Sequence, residues 1–411
     1  MRAFLLPLTG FLPLIGLLPP IGSFLHPRAV ETAFEIRTVE EALHRGDIAG
    51  LSGTRLEVAT SSGTVGIDCR DVLCATAIQP PVVGPSPSSL LELADGDVLF
   101  GTVDSGKGDV LSVHGPGEGL LEVAVGSLRR WIHLGNAAGR SAESFAPAPD
   151  ADRLYLPAPG GLDHLDGTLS GFDGDGFTFE SALGKTRRTF AESAALVLAP
   201  EGSPPARSDL LALVEFGDGS RLTGRLVGLE GGELSIAPSW APLVRFRLDR
   251  VASIRFRNGR YVYLSELEPI EAVETPYFGG ADALRFPYQK DRSVGGGRLR
   301  CGGRVYARGL GLHSRTVLRY GLEAKYARFR ALAGIDDEVL GFAFSGSALL
   351  RIAVDGKVVY ASPPLRAGGE PLRIPEIDLK DARELRVEAD YGEDFHVGDR
   401  VDLLEPVLVR G

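Results

Sequence analysis

Residues 167–180, GTLSGFDGDGFTFE, carry a pattern that occurs at three other places before residue 260. Gly167 is followed by an apolar residue at Leu169, a second glycine at Gly174, and two alternating apolar residues at Phe177 and Phe179. This order is typical of a strand, a tight turn and a second strand, because side chains alternate between the two faces of a strand. The stretch therefore predicts a β-hairpin, and its recurrence predicts a series of similar β units.

The same spacing begins at three other glycines. The matching sets are Gly46, Ile48, Gly53, Leu56 and Val58; Gly101, Val103, Gly108, Leu111 and Val113; and Gly224, Leu226, Gly231, Leu234 and Ile236. Alternating apolar residues continue in the second half of the units, as in VRFRLDRVASIRF at 244–256. A bent sheet of four or five short strands that closes on itself would bury these residues and leave few unpaired edges. Each unit is therefore expected to be a small β-barrel, and the units weakly resemble SH3-like or Sm-like barrels.

Segments rich in proline, serine and glycine separate the units. We assign repeat 1 to residues 29–78, repeat 2 to 90–135, repeat 3 to 162–199 and repeat 4 to 210–258, with a linker at 136–161. The positions shared by the repeats are all apolar or glycine, so the repeats share a fold rather than an active site. No histidine in them has a spacing typical of a catalytic or metal site. The repeats are therefore interpreted as a scaffold.

The first 28 residues have the pattern of an export signal. One arginine precedes a long apolar stretch that has no further charge until Arg28, as in a secretory signal peptide. An uncleaved membrane anchor is the alternative, but Pro7, Pro13, Pro19 and Pro20 would interrupt a spanning helix. We therefore predict a signal peptide over 1–28 and a secreted or cell-envelope location, either periplasmic or extracellular.

The composition narrows the classes of partner. The chain of 411 residues has a formal net charge of −10 and no basic run, so nucleic acid is not expected as a partner. Three cysteines, Cys69, Cys74 and Cys301, are too few for a disulfide framework, and no zinc-binding spacing is present. Cys69 occupies an apolar position of its repeat, which favours a buried free thiol over a bridge to Cys74.

The segment 259–411 differs from the repeats. Nearly every block alternates between apolar and polar residues, no stretch of useful length has a helical period, and Asp355-Gly356 is a hairpin-turn signal. About 150 residues of alternating strands with turns between them are typical of an antiparallel sandwich. The fold class is therefore all-β, with four small β-barrel-like repeats followed by a β-sandwich.

This segment closely resembles the NPCBM/NEW2 domain, a carbohydrate-binding type of module akin to carbohydrate-binding module family 51. The matching residues are ARGLGLHS at 307–314, Tyr326 with Phe329, GIDDE at 334–338, VDG at 354–356, and Gly398-Asp399 with Asp402. The resemblance implies a jelly-roll sandwich of the galactose-binding-like type. It also implies a bacterial exported protein, since family members occur on secreted glycosidases and in exported bacterial proteins. Arg400 and Leu403 stand where the family usually has histidine and tryptophan.

A sugar site needs planar hydrogen-bonding groups held rigidly beside an aromatic face. Candidate ligand-binding residues near strand ends are His313, Arg319, Asp336, Glu338, Tyr391, Asp399 and Asp402, and candidate rings are Tyr277, Phe278 and Tyr288. A structural hydrogen bond is the alternative for His313, and a turn cap is the alternative for Asp336. Asp399 and Asp402, near Glu393 and Asp394, could hold a structural calcium ion; no other cofactor is expected.

No catalytic motif is present. His313 and Ser314 are neighbours on a strand and face opposite ways, so they do not form a nucleophile–base pair. The prediction is an exported non-catalytic protein whose C-terminal module binds carbohydrate and whose repeats form a scaffold. The alternative is a structural or protein-interaction protein of the cell envelope that binds envelope proteins and no sugar. A third alternative is an unrecognised hydrolase, whose two carboxylates would come from positions far apart in the sequence.

Overall fold

The computed structural model describes residues 33–52, 54–117, 119–199, 207–278, 285–342, 346–393 and 395–411. The predicted signal peptide at 1–28 lies outside this part of the chain. Strands dominate the described residues, and the helical turns are short 3-10 segments. In the described ranges, no helix has the length and apolar character needed to cross a membrane.

The described ranges contain 34 strands, of which twenty precede residue 258. They are β1 (Ala33–Thr38), β2 (Leu43–Ser52), β3 (Arg55–Thr60), β4 (Gly63–Asp68), β5 (Val72–Ala77), β6 (Ser89–Leu93), β7 (Val98–Gly108), β8 (Val110–His114), β9 (Leu120–Ala124), β10 (Leu128–His133), β11 (Asp152–Ala158), β12 (Gly161–Gly174), β13 (Gly176–Ser181), β14 (Gly184–Thr189), β15 (Ala195–Val197), β16 (Leu211–Phe216), β17 (Arg221–Glu230), β18 (Glu233–Pro238), β19 (Val244–Arg247) and β20 (Val251–Arg257). 3-10 turns lie at Cys69–Asp71, Val125–Ser127, Ala142–Ser144 and Leu248–Arg250.

Fourteen strands follow. They are β21 (Tyr261–Tyr263), β22 (Glu271–Glu274), β23 (Gln289–Lys290), β24 (Leu299–Cys301), β25 (Arg304–Tyr306), β26 (Gly309–His313), β27 (Thr316–Gly321), β28 (Tyr326–Ile335), β29 (Ser347–Val354), β30 (Lys357–Ala361), β31 (Leu365–Arg366), β32 (Leu372–Asp378), β33 (Glu384–Tyr391) and β34 (Arg400–Arg410). Further 3-10 turns lie at Leu264–Glu266 and Asp337–Gly341.

One pairing pattern recurs through the first twenty strands. The first strand of a group of five pairs with the second and the fifth, as β1 does with β2 and β5. The same holds for β6, β11 and β16. The fifth strands then join the groups: β5 pairs with β20, and β10 pairs with β15. The first group is therefore paired with the fourth, and the second with the third.

The recurring first glycine marks a close approach of two backbones. A Cβ atom on Gly167 would lie 2.1 Å from the carbonyl oxygen of Glu180 on the opposite strand, and one on Gly46 would lie 2.0 Å from that of Ala59. Such distances exclude any side chain. The strand register then shifts soon after this glycine in each group, for example between Leu169 and Gly171. The shared spacing in the sequence therefore corresponds to a bulged, strongly bent second strand in each group.

The structure differs from the sequence interpretation between 136 and 161. Strand β11 lies inside this range, for which the composition predicts a linker. Seven of its residues pair with β12, and Leu154 is fully buried. The strand carries only a short alternation among many prolines, glycines and serines, so its pairing is decided by β12 and β15 rather than by its own sequence. The three cysteines are free, and Cys69 is buried as expected.

The C-terminal segment is a sandwich of two antiparallel sheets, as the alternation predicts. One has the order β23-β26-β34-β28-β32, with β21 beside β34; the other has the order β22-β27-β33-β29-β30, with β31 beside β29. Apolar side chains from both sheets fill the space between them, among them Leu312, Phe329, Leu350, Val387 and Leu403. The chain crosses from the first sheet to the second between the end of β26 at His313 and the start of β27 at Thr316.

The close approach at the first glycine can be tested within β17. A Cβ atom on Gly224 would lie 2.8 Å from the carbonyl carbon of Ala237, whereas one on Gly228 would meet nothing within 4 Å. We expect Gly224→Ala to lower the free energy of unfolding by about 1–3 kcal/mol, which is the usual cost of overpacking. The matched control Gly228→Ala should change it little. Urea unfolding of both variants measures the difference, and equal values would contradict this account of the repeat.

Candidate binding site

A cleft opens where the chain crosses between the two sheets of the sandwich. It is bounded by the end of β22, the turn between β26 and β27, and the residues that follow β33. It holds about 440 Å³ of space, part of it open to solvent. Its lining consists of Glu274, Thr275, Pro276, Tyr277, Phe278, Arg285, Phe286, His313, Ser314, Arg315, Thr316 and His396.

Aromatic and imidazole rings form most of the wall. Phe286 stacks on His313 with 4.2 Å between ring centroids, and Tyr277 stacks on His396 at 5.0 Å. Two further rings stand at the rim: Phe278 is 71% exposed and packs edge-on against Tyr277, and Phe395 is 67% exposed. Exposed phenylalanine rings that gather at a concave surface are typical of a binding site, since they cost solubility without adding to a core.

His313 is held in one orientation at the floor of the cleft. Its Nδ1 lies 2.6 Å from the carbonyl oxygen of Ser314. A carbonyl can only accept a hydrogen bond, so Nδ1 carries the proton and Nε2 is the acceptor of the neutral ring. Burial lowers the pKa of His313, and the nearby His396 and Arg400 lower it further, while the bond to Ser314 acts in the opposite direction. The ring is 7% exposed and neutral at pH 7.

Asp399 is a buried residue that links two segments of the chain next to the cleft. Its carboxylate is fully buried; one oxygen accepts the Ser314 hydroxyl at 2.5 Å and the other accepts the backbone N–H of Ser347 at 2.9 Å. Ser314 follows β26 of one sheet, and Ser347 begins β29 of the other. The carboxylate therefore ties the two sheets together directly beneath His313.

Three other predicted residues form a separate cluster outside the cleft lining. Asp336 caps the 3-10 turn that follows it, and it also accepts the backbone N–H of Arg300 at 3.0 Å. Glu338 accepts the Ser293 hydroxyl at 3.0 Å and pairs with Arg400 at 2.7 Å. Asp402 lies beside them. The bonds of Asp336 and Glu338 hold backbone segments, so the turn-cap alternative describes Asp336.

Asp402 has an unusual environment in this cluster. The side chain is 1% exposed, and among the described residues neither carboxyl oxygen has a donor from an N–H or hydroxyl group. Burial raises the pKa of Asp402 well above its usual range, and the nearby carboxyl of Asp336 raises it further. The buried carboxyl therefore keeps its proton to a higher pH than an exposed aspartate does.

Arg319 and Tyr391 have different positions. The Arg319 guanidinium bonds Glu271 at 2.6 Å and Glu384 at 2.5 Å, so it bridges neighbouring strands of the second sheet and lies outside the cleft lining. These two carboxylates raise its pKa. The Tyr391 hydroxyl donates to the carbonyl of Thr275 at 3.1 Å, and its ring packs edge-on against Tyr277. Tyr391 therefore supports the aromatic wall from behind.

The structure adds residues that the sequence interpretation did not single out. Phe286, Arg285, Arg315 and His396 all line the cleft. Phe286 stands in a segment without strand alternation, and its stack on His313 depends on how that segment folds over the strand end. His396 lies shortly before Gly398-Asp399, which is the one local signal that could have drawn attention to it. Of the candidate rings, Tyr277 and Phe278 line the cleft, and Tyr288 packs against the sandwich core.

The predicted calcium ion remains a prediction. Among the described residues, no group of three His, Cys, Asp or Glu side chains is arranged to hold a metal ion. Asp399 and Asp402 point to different partners, and Asp394 lies outside the described residues.

A larger crevice of about 2300 Å³, including open solvent, lies between the repeats and the sandwich. Its charged side chains pair with one another: Arg37 bonds Glu405 at 2.6 Å, and Arg255 bonds Glu215. Because these groups already satisfy each other, the smaller cleft is the better candidate for ligand binding.

The sandwich, with this cleft at its edge, belongs to a known class of module. The profile of the NPCBM/NEW2 domain family matches residues 260–409. The C-terminal part of the chain is therefore an NPCBM/NEW2 domain, and the resemblance seen in the sequence is confirmed.

Individual relatives share smaller parts of the chain. A Renibacterium salmoninarum protein named "Putative endo-alpha-N-acetylgalactosaminidase" is 33% identical over 88 residues, which are 20% of this chain and 6% of that protein. A CBM51 module from Clostridium perfringens GH95 in complex with methyl-galactose is 24% identical, over 36% of this chain and 99% of that one, with a TM-score of 0.31. The tandem CBM51 modules of a family 98 glycoside hydrolase from Streptococcus pneumoniae SP3-BS71 are 13% identical, over 92% and 88%, with a TM-score of 0.31.

The raised pKa of Asp402 gives a test by pH. A carboxyl whose pKa is raised by folding stabilises the protein below the pKa of the unfolded chain, near 3.9, and this contribution is lost as pH rises toward the folded-state pKa. Between these values the stability of the natural protein falls by about 1.4 kcal/mol per pH unit through this group. Asp402→Asn removes the titration, so its stability relative to the natural protein should increase as pH rises from about 4.

Urea unfolding at several pH values measures this increase. Asp381→Asn, which removes an exposed carboxyl from the same domain, is the control for the loss of one charge. A difference between Asp402→Asn and the natural protein that stayed constant with pH would show that Asp402 is ionised when buried.

Proposed function

We propose that the NPCBM/NEW2 domain binds carbohydrate in the cleft beside His313. The observation that carries this proposal is the convergence of the Phe286–His313 and Tyr277–His396 stacks with polar groups at one concave edge. Sugar rings have apolar C–H faces that pack on aromatic rings and hydroxyl groups that need rigid hydrogen-bonding partners. The family match supports the same class of ligand.

The exposed rings have distinct roles in this proposal. Phe278 and Phe395 are free to cover the face of a bound sugar, because most of each ring is open to solvent. Tyr277 is held between His396 and Tyr391 and keeps the wall rigid. A wall that is already ordered loses little conformational entropy on binding, which favours affinity for a small ligand.

The hydrogen-bonding groups lie below the rings. Nε2 of neutral His313 accepts a sugar hydroxyl, since Nδ1 is engaged by Ser314. Arg315 lines the same cleft as a donor, although part of its guanidinium is engaged by Glu388 at 3.2 Å. The Ser314 hydroxyl donates to Asp399 and so serves the framework rather than a ligand.

The cleft has the character of a binding site rather than of a hydrolytic one. Glycoside hydrolysis usually requires two carboxyl groups that face each other across the sugar. In the described lining, Glu274 is the one carboxylate, and its Oε1 accepts the backbone N–H of Tyr288 at 2.7 Å. We therefore propose that the protein is non-catalytic, and that the apolar segment at 1–28 directs its export to the cell envelope or beyond.

Contacts between the repeats and the binding domain support a scaffold role for the repeats. Glu40, in the turn after β1, bonds the Arg328 guanidinium of β28 at 2.6 and 3.1 Å. Arg260 bonds Asp71 at 2.7 Å, and the Tyr261 hydroxyl donates to the carbonyl of Val72 at 2.8 Å. These contacts hold the cleft in a fixed direction relative to the first repeat.

Substitutions at the rim test sugar binding. Phe278→Ala should weaken binding about tenfold, because an aromatic contact contributes about 0.5–1.5 kcal/mol beyond area burial and 1.4 kcal/mol corresponds to tenfold. The full chain is screened on a glycan array, and any ligand found is titrated by calorimetry. Val358→Ala on β30, which removes exposed apolar surface on another strand of the same domain, should leave the affinity unchanged.

Two outcomes would count against the proposal. Absence of saturable binding to any glycan would exclude a carbohydrate site and favour a protein partner from the cell envelope. Equal losses in Phe278→Ala and Val358→Ala would place the ligand elsewhere on the domain.

The protonation state of His313 predicts the dependence of binding on pH. Affinity should be constant above pH 6.5 and should fall as the pH drops through the lowered pKa of His313, because the protonated ring has no acceptor. Among the described residues, His396 and Arg400 act electrostatically on this ring, and Glu274, Arg285 and Arg315 line the same cleft. Calorimetric titration of His313→Gln, which keeps an acceptor that does not titrate, should show a flatter profile, and His396→Gln should retain the fall. A fall that persisted in His313→Gln and vanished in His396→Gln would assign the effect to His396 instead.

A further inference from the structure

The charged side chains around the cleft differ in whether other residues of the protein already bind them. Arg315 is held by Glu388 at 3.2 Å and approaches Asp390 at 4.0 Å. Glu274, the carboxylate in the described lining, is occupied by the N–H of Tyr288. Arg285 is exposed and lines the cleft, and it has neither a hydrogen bond nor an ion pair with any described residue.

Several other arginines of this domain are engaged by carboxylates, whereas Arg285 has no ion pair with a described residue. The protein carries a net charge of −10, and neighbouring arginines are taken up by carboxylates: Arg319 by Glu271 and Glu384, and Arg351 by Asp390. The described lining of the cleft contains two arginines and a single carboxylate. Because Glu388 engages Arg315, Arg285 is the arginine of this lining that no described carboxylate engages, and its charge favours the approach of an anion.

From this arrangement we infer that the cleft selects an acidic sugar, one that bears a carboxylate or a sulfate, and that Arg285 pairs with the acidic group. The inference rests on the proposed function and narrows it to a ligand class. The planar fork of a guanidinium matches the oxygens of carboxylate and sulfate through two parallel hydrogen bonds. The aromatic rings stack on the sugar ring, and Arg285 binds its charged substituent.

The geometry assigns separate tasks to the two sides of the cleft. His313 and the ring wall recognise features that every hexose shares, namely hydroxyl groups and C–H faces. Arg285 is adjacent to Phe286 in the chain and exposed at the cleft, so it is accessible to a substituent of a bound sugar. A neutral sugar would therefore bind through the wall alone, and an acidic one would gain an additional charge-assisted bond.

The test compares matched sugars on the full chain. Galacturonic acid is titrated against galactose, glucuronic acid against glucose, and galactose 6-sulfate against galactose, by calorimetry at low and moderate salt. We expect at least one acidic sugar to bind tenfold or more tightly than its neutral counterpart, with a preference that decreases with salt. Comparison of the uronic acids with galactose 6-sulfate shows whether the cleft recognises a carboxylate or a sulfate.

Variants of Arg285 complete the test. Arg285→Gln should lower the affinity for the acidic sugar until it equals the affinity for its neutral counterpart, and Arg285→Lys should retain part of the preference. Arg383→Gln is the control, since Arg383 is an exposed arginine next to the start of β33, whereas the cleft lies beyond its end. Arg285 is exposed, so both substitutions leave the core intact.

The outcomes separate this inference from the proposed function. Equal affinity of the natural protein for acidic and neutral sugars would overturn the inference and leave carbohydrate binding in place. A preference that persisted in Arg285→Gln would also overturn it. Absence of binding to every sugar on the glycan array and in these titrations would overturn both.

Discussion

The binding edge of the sandwich depends on one buried carboxylate. Asp399 has no exposure to water, and its two oxygens accept from Ser314 and Ser347, which belong to different sheets. A buried charge without such partners would cost several kcal/mol, so its surroundings have to close around it in one arrangement. That arrangement fixes Ser314, whose carbonyl in turn fixes the tautomer of His313. The order of the cleft therefore depends on a residue that is fully buried.

The repeats are organised by a different constraint, which is the contact between two backbones. The sequence predicted their hairpins because a residue with no Cβ is the only one that fits against the opposite carbonyl, as at Gly167 and Gly46. Because each of these close backbone contacts requires a glycine, the glycines recur at a fixed spacing in the sequence. Strand β11 has no comparable sequence pattern, since its place in the sheet depends on pairing with β12 and β15. The glycine spacing thus predicted the local hairpins correctly, whereas it did not predict the pairing of strands that are distant in the sequence.

The site was predicted unevenly for the same reason. Residue type and position near a strand end pointed to His313, which lines the cleft, and also to Asp336 and Glu338, which hold backbone segments nearby. Sequence alone could not separate these cases, because an ionisable side chain near a turn serves either role. Phe286 and His396 meet His313 only after two separate segments fold over the end of β26. Their proximity is a tertiary property without a local pattern.

The joining of the first group of strands to the fourth has a consequence for synthesis of the chain. Thr76 on β5 pairs with Ser253 on β20, so this edge of the first group has its partner only after the second and third groups have been made. Until then the growing chain carries an open strand edge, which is the usual starting point for mispairing with other chains. Strands made early and late in translation thus complete one sheet.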